Sequence, residues 1–220
     1  MNYPVKRVGT RALIVDLPDL KTVMDFYAAL SASPLEHQTD VVAAARTVLV
    51  TFDSPTATTN AVDVLAGYSP AAADMGTPRD IDIDVRYDGE DVDALATSLG
   101  MSPRELIEWH TSTTWVAAFG GFAPGFTYCV PEDASRALPI PRRDSPRTAV
   151  PAGAVALAGE FSAVYPRTSP GGWQLIGTTA TPMWDSTATP PALVAPGDRV
   201  HYRAADTLPA GTQTARKPLS

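Results

Sequence analysis

Three arginines fall within Pro141-Arg142-Arg143-Asp144-Ser145-Pro146-Arg147-Thr148. Guanidinium forks match carboxylate and phosphate oxygens, and the flanking prolines stiffen the backbone that carries them. The segment is a candidate anion clamp. The competing reading is a solvated loop in which Arg143 and Asp144 form an exposed pair of little consequence. A second signature is Phe119-Gly120-Gly121-Phe122-Ala123-Pro124-Gly125-Phe126-Thr127-Tyr128. Its glycines let backbone approach a ligand or a neighbouring strand, and the faces of Phe122 and Phe126 could wall a pocket. Barrel corners with aromatic filler would have the same composition. A third runs from Tyr165 through Ser169-Pro170-Gly171-Gly172-Trp173-Gln174 to Gly177. Ser169–Gly172 reads as a tight turn whose N–H groups form either an anion nest or an ordinary hairpin. Val150-Pro151-Ala152-Gly153 opens a small-residue stretch ending at Glu160. That carboxylate is a general-base candidate or a turn residue. His110 is the histidine nearest the glycine-rich signature along the chain. It is an acid/base candidate or a helix-capping imidazole. Cys129 reads as a buried small hydrophobe.

Several chemistries lack their signatures. There is no G-x-x-x-x-G-K-[ST] loop, no H-E-x-x-H and no G-x-S-x-G. The three histidines (His37, His110, His201) are scattered, so no metal site is expected. One cysteine excludes an intramolecular disulfide and a cysteine-held metal cluster.

The elements that must carry these residues divide in two. Arg11–Leu17 reads as a strand ended by Pro18. Asp19 caps a helix through Val23, Phe26, Tyr27 and Leu30. Asp40–Ala45 and Thr47–Phe52 read as strands, and Thr56–Tyr68 as a helix. The order β-α-β-β-α predicts helices on an antiparallel sheet, a ferredoxin-like α+β domain over residues 1–77. Ser69–Pro78 has linker chemistry and is expected to be the most protease-sensitive internal segment. Ile81–Tyr87 alternates as a half-buried strand, Val92–Leu99 is a helix stopped by Gly100, and Ser102-Pro103-Arg104-Glu105 is a capping-box start. Thr113–Phe119 is the next strand. Beyond residue 120 short apolar pieces (Ala154–Leu157, Phe161–Tyr165, Trp173–Ile176, Val200–Tyr202) alternate with Gly and Pro. This predicts an antiparallel barrel over 78–207, with a mobile tail at 208–220.

At 220 residues the chain is long enough for two cores. It is 45% hydrophobic and 19% charged, a globular balance, and its 21 prolines suit loops and barrel edges. A net charge of −7 argues against nucleic-acid binding. No apolar run approaches a membrane span, and the first residues carry no apolar signal region. The expectation is a cytoplasmic protein.

Taken in order, Phe119–Tyr128, Pro141–Thr148, Val150–Gly153, Ala158-Gly159-Glu160 and Tyr165–Gly177 closely resemble the KipI family. It is also called allophanate hydrolase subunit 1, and includes the B component of prokaryotic 5-oxoprolinase. Arg11-Ala12-Leu13-Ile14-Val15 and Pro196-Gly197-Asp198-Arg199-Val200 extend the resemblance over nearly the whole chain. Two departures occur: Thr178-Thr179 where the family often has Arg, and Cys129-Val130-Pro131 in place of a Leu-Gly-Gly type segment. The resemblance implies a small α+β domain followed by a cyclophilin-like β-barrel with flanking helices. It further implies a partner, a second cyclophilin-like subunit (the C component of 5-oxoprolinase, or allophanate hydrolase subunit 2). The activity implied is opening of the 5-oxoproline lactam to glutamate by a complex that uses ATP with Mg2+, no cofactor being bound covalently to this chain. For such a reaction Arg142, Arg143 and Arg147 are the expected clamp. His110 and Glu160 are the acid/base candidates. Phe122, Pro124, Gly125, Phe126, Tyr165, Ser169, Gly171, Gly172, Trp173 and Gln174 form the expected small-molecule site. Two alternatives stand beside it: half of a biotin-dependent carboxyltransferase of the urea carboxylase type, and a non-enzymatic inhibitor of a sensor histidine kinase.

Overall fold

The computed structural model describes residues 2–70 and 77–208. The chain divides into two compact units, one ending at Thr77 and one beginning at Pro78. Most of the Ser69–Pro78 segment, and all of the expected tail but Leu208, lie outside the described residues.

In the first unit the order is β1 (Val5–Val8), β2 (Ala12–Asp16), α1 (Leu20–Ala32), β3 (Gln38–Ala43), β4 (Thr47–Phe52) and α2 (Pro55–Ala66). The sheet order is β1-β2-β4-β3, antiparallel throughout. Strands β2 and β4 alternate as the period-2 pattern requires, burying Leu13 and Val15, and Val48, Val50 and Phe52. Against that face α1 buries Val23, Phe26 and Leu30, and α2 buries Ala61 and Leu65. Asp19 accepts from the Thr22 N–H at 2.7 Å, the cap that the sequence predicts. Strand β1 is an addition to that reading. Its burial is slight, so it carries little apolar signal; Gly9, at φ +63°, makes the turn that returns it along β2.

The second unit is mostly β. It contains β5 (Asp80–Val85), α3 (Val92–Ser98), α4 (Pro103–Ser112), β6 (Trp115–Gly120), β7 (Thr127–Pro131), β8 (Arg147–Val150), β9 (Ala154–Ala158), β10 (Phe161–Val164), β11 (Ser169–Gly171), β12 (Gln174–Thr178) and β13 (Arg199–Ala204). Seven strands form one sheet in the order β12-β9-β10-β7-β6-β13-β5. Its two outer strands are brought together just beyond β5, where Arg86 and Thr178 exchange N–H···O bonds of 2.9 and 2.8 Å. The sheet is thereby a near-barrel. One pairing departs from an all-antiparallel arrangement: β13 runs parallel to β5, from Arg199–Asp80 to Ala204–Val85. Arg79 and the buried Asp198, paired as ions, staple the starts of these two strands.

Ile83, Val85, Trp115, Val155, Leu157, Ile176 and Val200 fill the interior. Strand β9 is buried at every position and is built of Ala, Val and Leu, as a strand covered on both faces must be. Helix α4 begins with the expected capping box between Ser102 and Glu105. The Ser169–Gly171 segment is a short strand, not a tight turn. It pairs with β8 in a separate ribbon, Ser169 opposite Val150 and Gly171 opposite Arg147. Flanking Pro and Gly gave it turn composition, but long-range pairing sets its conformation. Among the described residues no helix is long and apolar enough to cross a membrane.

Candidate functional site

Asp91 organises the rim of the second unit. It precedes α3 in the capping position, yet its side chain makes no cap bond. Instead the carboxylate, only 6% exposed, accepts from Arg143 Nη1 at 2.6 Å and from Arg147 Nη2 at 2.8 and 2.9 Å. It also accepts from the Leu175 N–H at 2.7 Å. Burial acts to raise its pKa; the Arg147 and Leu175 hydrogen bonds and both arginine charges outweigh this and hold it below the usual carboxylate value. Its stabilising contribution is therefore present above the unfolded-state pKa of about 3.9 and is lost as pH falls below it. Glu90 accepts from Arg147 Nε at 2.8 Å on the outer side.

These contacts fix two of the three arginines. Arg147 opens β8 and is 14% exposed at its side chain. Arg143 is held through its main chain as well, donating its N–H to Gly172 O at 2.8 Å. Gln174 Nε2 donates to Pro141 O at 2.9 Å. Arg142, on the exposed side of the same segment, has no ion pair or hydrogen bond from its side chain among the described residues. Its charge nevertheless reaches the aromatic group: burial pushes the Tyr128 and Tyr165 phenols up, and Arg142 counters part of that effect.

That aromatic group is continuous. Phe126 packs edge-on against Tyr165 at 5.2 Å, Trp173 at 5.5 Å and Phe122 at 5.2 Å between centroids, and Tyr128 meets Trp173 at 5.5 Å. Phe126, Tyr165 and Trp173 are buried, whereas Phe122 is 58% exposed on a backbone at φ +64°. A left-handed backbone at a bulky residue is strained, and strain of this kind gathers at ligand-binding loops. Gly125, at φ +82°, gives the backbone the turn that Phe126 needs to point inward. Pro124 is exposed beside it. Gly171 leaves room for Tyr165, since a Cβ there would stand 2.2 Å from the phenol oxygen. Gly172 lies against Pro146, and the Ser169 hydroxyl donates to Arg167 O at 3.1 Å.

The structure thus brings the arginine segment, the Phe119–Tyr128 signature and the Tyr165–Gly177 signature to one rim. It does not bring His110 there. That side chain is fully buried in the core, 4.3 Å from Tyr202 in a stacked arrangement. Its Nδ1 lies 2.7 Å from the Tyr87 hydroxyl and its Nε2 2.9 Å from Ser162 Oγ. A neutral imidazole satisfies both, accepting from Tyr87 and donating to Ser162. Glu160 is exposed in the turn between β9 and β10; Gly159 beside it pairs with Ile140, which leads into Pro141. The sequence reading missed Asp91. Its available signal was indirect: three arginines on one short segment of an acidic chain call for a carboxylate partner.

Burial lowers the pKa of His110 to about 3. Its unfolded-state value is about 6.5, so below that pH the unfolded chain binds a proton that the folded one refuses. Between pH 6.5 and 5 the second unit is expected to lose about 2 kcal/mol of stability from this group. Denaturant titrations across that range check it. The His110→Gln variant, which has no titrating ring, should show a distinctly flatter profile.

A family model described as carboxyltransferase domain, subdomain C and D, matches residues 3–194. Among curated relatives, the B component of 5-oxoprolinase from Escherichia coli O157:H7 is 42% identical over 129 residues, 56% of this chain and 57% of that protein. The same-named protein of Bacillus subtilis (strain 168) is 40% identical over 127 residues, 56% of this chain and 52% of that one. The matched region therefore spans only a little over half the length of these relatives. Among solved structures, the crystal structure of TTHA0988 superposes with a TM-score of 0.72 at 30% identity, covering 91% of this chain and 41% of that one.

Proposed function

We propose, from the premise that this chain belongs to the family of carboxyltransferase subdomains C and D, that it is a component of a cytoplasmic, ATP-dependent 5-oxoprolinase. In this reading the first unit is a ferredoxin-like domain and the second a cyclophilin-like barrel. A second cyclophilin-like subunit completes the site. The observation that carries the proposal is the gathering of the arginine segment and the two aromatic–glycine signatures on one rim.

Opening a lactam is slow because the amide carbonyl resists water. ATP with Mg2+ would supply activation by phosphorylating the amide oxygen. The residues of this chain fit the demands of such a group. Arg142 has no protein partner for its guanidinium among the described residues, which leaves all its donors for carboxylate or phosphoryl oxygens. Asp91 holds Arg147 and Arg143 in fixed orientations behind it. Phe122 offers an exposed apolar face for the ring, backed by the buried Phe126 and Tyr165, with Trp173 packed against Phe126. Glu160, exposed in the turn between β9 and β10, is a solvent-facing carboxylate available as base. His110 serves this site at a distance, through the packing of the barrel.

The test is co-expression with a second cyclophilin-like subunit and the A-type component of a 5-oxoprolinase, followed by an assay of glutamate formed from 5-oxoproline with ATP. A stable co-eluting complex with ATP-dependent turnover is expected. Separate elution of the components, or turnover indifferent to 5-oxoproline, would overturn the reading. Within an active complex, Arg147→Lys keeps the charge but cannot span Glu90 and Asp91 together. It is expected to lower kcat/KM by roughly 10- to 100-fold. A change below about twofold would leave Arg147 a structural partner of Asp91 with no part in turnover.

A further inference from the structure

We infer that the cleft between α3 and the Pro141–Ser145 segment is a binding site, within this chain itself, for a compact oxyanion: a phosphoryl or carboxylate group of a small molecule. The cleft has a volume of about 450 Å3, with Ala94, Leu95 and Ser98 of α3 on one side and Arg142, Arg143 and Ser145 on the other.

Arg143 carries the argument. Its Nη1 is taken by Asp91 at 2.6 Å, but its Nε is buried and has no acceptor among the described residues. A donor shielded from water and lacking a partner is unfavourable, and few survive in folded proteins without a reason. The unfilled edge of this guanidinium is the Nε–Nη2 edge. That edge grips two oxygens of one carboxylate or phosphate side by side. A small turn of the side chain brings this edge into the cleft, where an anion provides the acceptor that the described residues do not. Arg142, also without a partner among the described residues and lining the same cleft, supplies a second cation.

The backbone beneath is held in place before any ligand arrives. Arg143 N–H is bonded to Gly172 O, Gln174 holds Pro141 O, and Pro141 and Pro146 restrict the segment at each end. Two carboxylates also line the cleft. Asp91 is already met by Arg143 and Arg147, so its charge is offset. Asp144 is exposed, where solvent screens it. Ala94, exposed on the α3 side, gives the remainder of the ligand an uncharged wall.

The site belongs to this chain alone; the hydrolase reading supplies only the ligands worth offering it, so binding and turnover fail separately. The experiment is calorimetric titration of the full chain with pyrophosphate, ATP, L-glutamate and 5-oxoproline. Saturable binding of at least one is expected. Pyrophosphate or ATP would identify the phosphoryl source, glutamate or 5-oxoproline the carboxylate source. Arg142→Gln and Arg143→Gln should each weaken binding by roughly tenfold or more. Asp144→Asn should tighten it by roughly twofold, because it removes a like charge. Melting temperatures verify folding. Should Arg143→Gln fail to fold, Arg142→Gln carries the test, since that side chain holds nothing among the described residues. No binding of any of the four ligands, affinity unchanged in Arg142→Gln, or weaker binding in Asp144→Asn would overturn the inference.

Discussion

Replacing Asp91 with alanine is expected to lower the stability of the second unit by about 2–4 kcal/mol and its melting temperature by roughly 5–15 °C. The substitution removes one carboxylate and leaves three donors without their acceptor: Arg143 Nη1, Arg147 Nη2 and the buried Leu175 N–H. Removing one member of a buried ion pair costs about 3–5 kcal/mol. The range is set lower here because the Arg143 side chain is 36% exposed and can turn to water. The check is a double-mutant cycle with Arg147→Ala, followed by thermal and urea melts. Asp91→Ala should cost less when Arg147 is already gone, with a coupling of about 0.5–3 kcal/mol. Additive losses would show that Asp91 and Arg147 do not act as one unit.

The second large effect belongs to Gly89. A Cβ at this position would stand 2.3 Å from the Leu175 carbonyl oxygen and 2.4 Å from the carbonyl carbon of Ile176. Both are main-chain atoms of β12, which has no flexible side-chain end to yield. Gly177 on the facing strand is equally constrained, with Arg86 O 2.6 Å from the place of its Cβ. The seam that closes the near-barrel is therefore a backbone-to-backbone approach. Gly89→Ala must push β12 outward, separating Leu175 N–H from Asp91 and straining the Arg86–Thr178 pair. A loss above about 4 kcal/mol is expected, seen as insoluble protein or a collapse of the thermal transition. Gly120→Ala is the control. Its nearest neighbour would be 3.9 Å away, and it should cost less than about 1 kcal/mol. Equal behaviour of the two variants would refute the steric account of the seam.

Sequence and structure agree where the signal is local. Asp19, Ser102 with Glu105, and the alternation of Thr47–Phe52 each declare an element through residues a few positions apart. What stayed hidden depends on long separations. Asp91 meets Arg143 and Arg147 across 52 and 56 residues, and nothing in Asp88-Gly89-Glu90-Asp91 marks it as more than a turn with a helix start. The three arginines look alike in sequence; only the fold separates the two held by Asp91 from the one without a side-chain partner among the described residues. His110 lies near the glycine-rich signature along the chain, yet α4 turns it inward beneath Tyr87 and Tyr202. Strand β11 was obscured for a related reason. Its Ser-Pro-Gly composition has turn character by every local rule, and its partner Arg147–Val150 settles its conformation from a distance.

The parallel pairing of β5 with β13 bears on how the protein is made. Asp80 opens β5 and its partner Arg199 opens β13, so the first strand of the second unit to leave the ribosome waits for one of the last. At about 5–20 residues per second, the intervening chain takes on the order of 6–24 s to synthesise. Throughout that interval Ile83 and Val85, both fully buried in the finished fold, have no β13 to cover them. Asp80, Asp82 and Asp84 occupy the alternate positions and stay exposed. Their charges make the waiting strand a poor template for the strands of neighbouring nascent chains. The Asp-Ile-Asp-Ile-Asp-Val run thus carries its own charge barrier to edge pairing until Val200 and Tyr202 settle beside it.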